Sequence, residues 1–248
     1  MPKFSIITVC FNSSKTIERT IKSVLNQTFS DYEYIIIDGK STDSTMNIVK
    51  KYEPKFHGRM KWISEPDKGI YDAMNKGIKM STGDIIGIVN SDDFYCLDAL
   101  ENMVAEIPHE KYFILYGYQR CITNGLEDKI VIYHHRNLDK QMITHPTCFV
   151  SRYTYADFGT YDMSYKSSAD YEFMLRVFHS GKVLFKPVYK VISNFESGGM
   201  SSTQVGVRET VHIRQKYGII SRKEASLLLL KSYLAEVKYK CTKSGAKA

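Results

Sequence analysis

The 248-residue sequence contains no apolar run approaching the ~18 residues that a membrane-spanning helix needs. It also lacks Cys-x-x-Cys. Its five cysteines (Cys10, Cys96, Cys121, Cys148, Cys241) are odd in number and scattered, so neither a disulfide framework nor a zinc site is indicated. The N-terminus runs from Met1-Pro2-Lys3-Phe4 into a short apolar segment ending at Asn12, without the longer apolar core and small-residue cleavage site of a signal peptide. A reducing, cytoplasmic setting is expected. No Gly-x-Gly-x-x-Gly, no Gly-x-x-x-x-Gly-Lys-Ser/Thr and no Gly-x-Ser-x-Gly occurs, which removes the commonest dinucleotide, phosphate-loop and serine-hydrolase signatures. There is no internal repeat and no low-complexity segment.

What is present is an ordinary globular composition, with 43% apolar and 25% charged residues. The net charge of +7 is uneven: residues 222–248 hold seven basic and two acidic residues, and so carry +5 of it. No nucleic-acid-binding motif accompanies those basic residues. Leu227, Leu230, Leu234 and Val237 fall on one helical face flanked by Lys and Arg. Such a helix suits an anionic membrane surface or packing on the body or on a subunit.

The first half alternates short apolar runs with helical patterns. Phe4–Val9, Tyr34–Ile37, Met60–Ile63 and Ile85–Val89 read as strands; Ile17–Leu25, Met46–Tyr52 and Ile70–Ile78 read as helices. The alternation predicts an α/β fold with a mostly parallel sheet flanked by helices. In the second half, Tyr112–Tyr118 reads as a strand, Arg120–Tyr133 as a hairpin turning at Asn124-Gly125, and Thr147–Val150 as a short strand. Ala169–His179 reads as a helix, Val183–Ile192 as a strand pair interrupted at Pro187, and about 205–217 and 222–240 as helices. The organisation expected is one domain over 1–204, with two functional halves divided at about 100. A helical basic extension follows over 205–248.

In such sheets ligands bind at the carboxyl ends of the strands. Every early strand here ends in polar residues: Asn12, Asp38, then Glu65 and Asp67, then Asn90-Ser91-Asp92-Asp93. Each alone could cap a helix; four in succession point to a shared site. Asp92-Asp93 suits a hard divalent cation or an N-cap pair for the helix holding Leu100 and Val104. Asp43 reads as a cap. Asp170 opens a predicted helix and could cap it or act as a general base. His134, His135 and His145 are not at metal-ligand spacing, and packed or solvated roles are expected for them.

Four segments taken in order carry a resemblance: Phe4–Asn12, Ile37–Thr45, Glu65-Pro66-Asp67-Lys68-Gly69-Ile70-Tyr71-Asp72-Ala73-Met74-Asn75-Lys76-Gly77, and Gly83-Asp84 through Asn90-Ser91-Asp92-Asp93. The chain resembles the family 2 inverting glycosyltransferases of bacterial surface-polysaccharide synthesis. Residues 4–100 match strongly. Thr144-His145-Pro146, Ser168–Glu172 and Gly198–Ser201 extend the match more thinly. The resemblance implies a GT-A fold, a nucleotide-sugar donor (a UDP-sugar), a divalent metal (Mn²⁺ or Mg²⁺) and a lipid-linked saccharide acceptor. It would place Thr8, Asn12, Asp38, Asp67 and Lys68 around the nucleotide. Asn90, Ser91 and Asp92 would lie at the ribose and diphosphate, with Asp92 and Asp93 at the metal and Asp170 as catalytic base. His145 and the Gly198–Ser201 loop would lie near the diphosphate or acceptor. Two positions depart from the family pattern: Asn90 stands where its Asp-x-Asp motif begins, and Ala169 stands before Asp170 where an acid is frequent. A nucleotidylyltransferase would want a glycine-rich loop after the first strand, where this chain has Cys10-Phe11-Asn12-Ser13-Ser14. A non-catalytic sugar-binding module would need no base.

Overall fold

The computed structural model describes residues 2–123, 125–196 and 204–245, with side chains to residue 236. The expected Gly198–Ser201 loop, Asn124 and the side chain of Val237 lie outside the described residues.

The apolar runs of the first half become four parallel strands: β1 (Phe4–Cys10), β2 (Tyr32–Asp38), β3 (Met60–Ser64) and β4 (Ile85–Ile88). Every residue of β1 and β2 is buried, because helices cover both sheet faces. Their order is β3-β2-β1-β4, so the order in which the parallel strands are laid down reverses between β1 and β4, where a crevice opens in folds of this kind. On one face Phe4, Ile6, Tyr34 and Ile36 pack against Ile17, Ile21 and Val24 of α1 (Ile17–Leu25) and Val49 of α2 (Thr45–Tyr52). On the other, Ile7, Val9, Ile35 and Ile37 meet Ala73, Met74 and Ile78 of α3 (Ile70–Met80). A fully buried Ile contributes about 1.5–3 kcal/mol, so these alternating faces fix the register of the whole half.

Beyond β4 the sheet becomes mixed. It continues through β8 (Phe149–Ser151), β6 (Phe113–Thr123), β9 (Leu184–Glu196) and β5 (Phe94–Tyr95), with β7 (Leu126–Val131) paired to β6. Two expectations are corrected here. The strand read over 112–118 and the first arm of the hairpin form one unbroken strand, β6. The pair read around Pro187 is likewise one strand, β9, parallel to β6. Pro187 has no N–H to give a ladder, and it sits opposite Tyr116 where the register slips. Gly117 permits the close crossing: a Cβ there would lie 2.4 Å from Ile192 Cγ1 and 2.8 Å from the Lys190 carbonyl.

Helix α4 (Ala99–Val104) is the one read around Leu100 and Val104, and α6 (Ala169–His179) lies where its apolar face predicts it, whereas α5 (Arg152–Phe158) was not apparent in the sequence. α7 (Gln204–Lys216) is bound to α6 and to the segment before it. Lys216 and Tyr217 both reach the buried Glu172 of α6, and Glu209 accepts from Lys166 N and Ser167 N. α8 (Arg222–Gly245) packs along α7 through Ala225 and Ser232, with Arg208 bonded to Glu236.

Candidate active site

The carboxyl ends of β1–β4 form a continuous rim, tied by hydrogen bonds between residues far apart in sequence. Asn12, at φ 49°, turns the chain out of β1. Its N–H donates to Ser41 Oγ (2.7 Å), and its side-chain oxygen accepts from Thr42 N (2.8 Å). Asp38 closes β2 and is fully buried. Its oxygens accept from Ser41 N (3.0 Å), Ser64 Oγ (2.6 Å) and Ser41 Oγ. The carboxylate expected to face a base is thus committed to the loop that follows it. Thr8 is also buried, its hydroxyl 3.0 Å from Tyr34 Oη, so its side chain lies beneath the rim. Asp43 accepts from Thr45 N and Ser14 N, as a residue setting the start of α2 should. These bonds hold its carboxyl well below the usual range, the Thr45 hydroxyl contributing most.

Next to the Asp38 loop is a narrow cradle. A Cβ on Gly39 would lie 3.0 Å from Asp67 Oδ2 and 3.4 Å from Phe11 Cδ2, and the Phe11 ring is 62% exposed. Asp67 is held by Lys76 of α3 at 2.6 Å, and Lys76 also pairs with Glu65. Lys68 is exposed, and its N–H donates to Asp72 Oδ2. Gly69 follows at φ +124°, which only glycine adopts readily, and starts α3.

After β4, Ser91 Oγ lies 2.8 Å from Ser13 Oγ, joining this loop to the one after β1. Asp92 is half-buried, and its carbonyl accepts from Arg19. Asp93 is 1% exposed: its Oδ1 accepts from Glu196 N, and no protein group reaches its Oδ2 among the described residues. Burial, with Asp92 adjacent, pushes the Asp93 carboxyl well up. The structure therefore does not bring Asp93 to the rim beside Asp92. Nor does the pair cap α4, which begins later with Asp98 at its N-cap. Among the described residues no group of three or more His, Cys, Asp or Glu is arranged to hold a metal ion. One half-buried carboxylate, Asp92, and the buried, unpartnered Oδ1 of Asn90 remain. That donor set fits a Mg²⁺-like cation, which takes one or two carboxylates and draws its other ligands from phosphate and water.

Across the rim, Asp170 lies in the first turn of α6. Its Oδ1 accepts from Tyr71 Oη (2.8 Å) and from Tyr171 N (2.9 Å). His145 Nε2 is 3.0 Å from Tyr161 Oη. Burial pushes the imidazole down against the opposing pull of Asp170. The His134 and His135 rings lie against each other at a tilt of 33°, and His135 bonds to Tyr116 Oη, away from this cluster. Sequence reading missed Tyr71, Ser41, Ser64 and Lys76. Tyr71 and Lys76 lay inside a quoted motif, but their partners could be named only once α3 was placed.

A parallel α/β half with a carboxylate-lined rim, joined to a mixed half that brings one more carboxylate to it, is the architecture of a GT-A glycosyltransferase. The sequence profile described as "Glycosyl transferase family 2" matches residues 5–165, and the chain belongs to that family. It is 30% identical over 207 residues to a PGL/p-HBAD biosynthesis glycosyltransferase of Mycobacterium bovis, covering 82% of this chain and 81% of that one. The fold is shared with Staphylococcus aureus TarS (TM-score 0.69, 19% identity), of which this chain spans 43% while 93% of its own length is covered. It is shared too with the mannosyltransferase PcManGT of Pyrobaculum calidifontis, whose structure holds GDP-Man and Mn²⁺ (TM-score 0.65, 17% identity, 94% of this chain and 70% of that one).

Proposed function

We propose that the chain is an inverting glycosyltransferase that moves a sugar from a UDP-sugar to a hydroxyl of a lipid-linked saccharide in bacterial polysaccharide synthesis. The observation that carries this reading is Asp170. Tyr71, four residues after Asp67, ties it to the start of α3, with one oxygen held by two donors and no protein bond to the other among the described residues.

The nucleotide's base would enter the Phe11–Gly39–Asp67 cradle, where an aromatic face, an open backbone and a carboxylate oxygen meet. Asp38 acts there through the loop that it fixes, and Thr8 from beneath. Lys68, Asn90 and Ser91 lie toward the ribose and diphosphate, and His145 toward the reacting groups. A divalent cation held by Asp92, with Asn90 beside it, would supply positive charge against the departing diphosphate; Asp93 serves by anchoring β9. Asp170 takes the proton of the acceptor hydroxyl as that oxygen bonds to the anomeric carbon. The bond from that carbon to the diphosphate oxygen breaks on the opposite side, so one displacement inverts the anomeric configuration.

An acceptor carried on a lipid would be met at a membrane surface. No helix of the described residues is long and apolar enough to cross a membrane. α8, however, exposes Leu227, Leu230 and Leu234 by 53%, 56% and 60% on the side away from Ala225 and Ser232. Lys223 and Lys231 flank them. We assign this face to a peripheral contact with anionic lipid at the cytoplasmic side.

The test is a panel of UDP-, GDP- and dTDP-sugars incubated with the protein and Mn²⁺, with and without lipid-linked acceptors, read as nucleotide release. UDP release stimulated by acceptor is expected. A non-catalytic binding module would release none.

A further inference from the structure

We propose that Tyr71 is a positioning residue for proton transfer. Its hydroxyl fixes Oδ1 of Asp170 and so makes Oδ2 the atom that receives the acceptor's proton. The inference rests on Asp170 being the base.

Tyr71 stands in the first turn of α3, two residues after Gly69, and is 5% exposed. Its Oη donates to Asp170 Oδ1 at 2.8 Å, and Tyr171 N donates to the same oxygen at 2.9 Å. Two donors on one oxygen hold the carboxylate in one rotation about its Cβ–Cγ bond. The ring is itself held: its centroid is 5.5 Å from that of Tyr161. One helical turn further on, Asn75 grips the backbone of Tyr161 in both directions, Nδ2 to the carbonyl at 2.9 Å and Oδ1 from the N–H at 3.0 Å. Positions 71 and 75 share a helix face, so α3 braces the base and the wall beside it with one surface. The same helix starts at the Asp67-Lys68-Gly69 segment proposed for the donor.

The groups facing Asp170 from the surrounding elements are Tyr71 of α3, His145 and Cys148 before β8, Tyr155 of α5, and Tyr161 in the segment leading to α6. Burial pushes both thiol and phenols up and the imidazole down. Among these groups the Tyr71 phenol is the one that hydrogen-bonds the carboxylate. Removing it frees Asp170 to rotate, which lowers kcat while leaving donor binding in place. A role confined to packing would lower Tm and would not separate kcat from UDP affinity.

The experiment compares wild type, Tyr71→Phe, Tyr161→Phe and Asp170→Asn in full-length protein. Each is assayed for kcat and KM of UDP release from whichever UDP-sugar the panel shows to be turned over, with UDP affinity and Tm measured on the same preparations. Phe fills the same volume in both tyrosine variants. Tyr161→Phe removes a hydroxyl that touches His145 and Tyr155 but not Asp170. Tyr71→Phe is expected to lose roughly ten- to a hundredfold in kcat, as loss of a charge-assisted hydrogen bond does, with KM and UDP affinity unchanged. Tyr161→Phe is expected to lose less than Tyr71→Phe. The proposal is overturned if Tyr71→Phe keeps kcat within about twofold while Asp170→Asn is inactive. It is also overturned if Tyr161→Phe loses as much kcat as Tyr71→Phe. Transfer retained by Asp170→Asn would instead remove the base assignment itself.

Discussion

Asp38 offers the sharpest separation of a structural role from a ligand-facing one. Its type and its place at a strand end suggest a carboxylate waiting for a nucleobase, yet it is fully buried with both oxygens occupied. In Asp38→Ala the exposed Ser64 can turn to water, but Ser41 loses the acceptor of both its N–H and its hydroxyl. A hydrogen bond to a charged group is worth ~1.5–3 kcal/mol, so two at the low end give a loss of about 3 kcal/mol. For a chain of this size each kcal/mol shifts Tm by about 2–4 °C, and the expected fall is therefore ~6–12 °C. Asp38→Asn is expected to be nearly neutral. Its oxygen can take the place of Oδ2, accepting from Ser41 N and Ser64, while its NH₂ donates to Ser41 Oγ. Thermal unfolding followed by circular dichroism, with UDP affinity by calorimetry, measures both. An Asp38→Ala protein with wild-type Tm but no UDP binding would refute the reasoning, because the carboxylate would then serve the ligand and not the loop.

Asp93→Ala is expected to cost about 1–3 kcal/mol through the lost acceptor of Glu196 N, while Asp93→Asn keeps that acceptor and most of the stability. Because burial raises the Asp93 carboxyl above its unfolded value of about 4, wild-type stability should decline as pH rises from there toward the folded value. Asp93→Asn should flatten that decline in urea midpoints taken across pH; an unchanged slope would show that Asp93 is not its source. Full-length protein should float with phosphatidylglycerol vesicles but not phosphatidylcholine ones, with binding lost at high salt and in Leu227→Ser/Leu230→Ser/Leu234→Ser. Equal flotation of that variant would mean that α8's outer face does not touch lipid.

The parallel half was legible because its cause is local. Uniformly apolar runs of strand length, each followed by a helical face and ending in polar residues, can fold in few ways. Helix α6 was legible for the same reason, through Tyr171, Met174 and Leu175. The long β6–β9 pairing was not. Pro187 reads as a strand breaker, and only the slip opposite Tyr116, with Gly117 open to Ile192, shows how one strand tolerates it. The candidate site was legible as a set of carboxylates but not as a set of roles. Asp92 and Asp93 are neighbours in a turn that the Asp93 N–H closes onto the Asn90 carbonyl, and only the folded chain shows that the Asp93 side chain is turned inward to Glu196 N. The Tyr71–Asp170 contact joins residues 99 apart. In the sequence the aspartate had a local explanation as a helix cap, and the tyrosine stood only as one letter of a motif.

The central claim is that Asp170 removes the acceptor's proton during transfer. The rate of sugar transfer by Asp170→Asn, set against its affinity for UDP, measures this most directly. Loss of a general base predicts a fall of ~10²–10⁴ or more with UDP affinity kept. Near-normal transfer by that variant would contradict it.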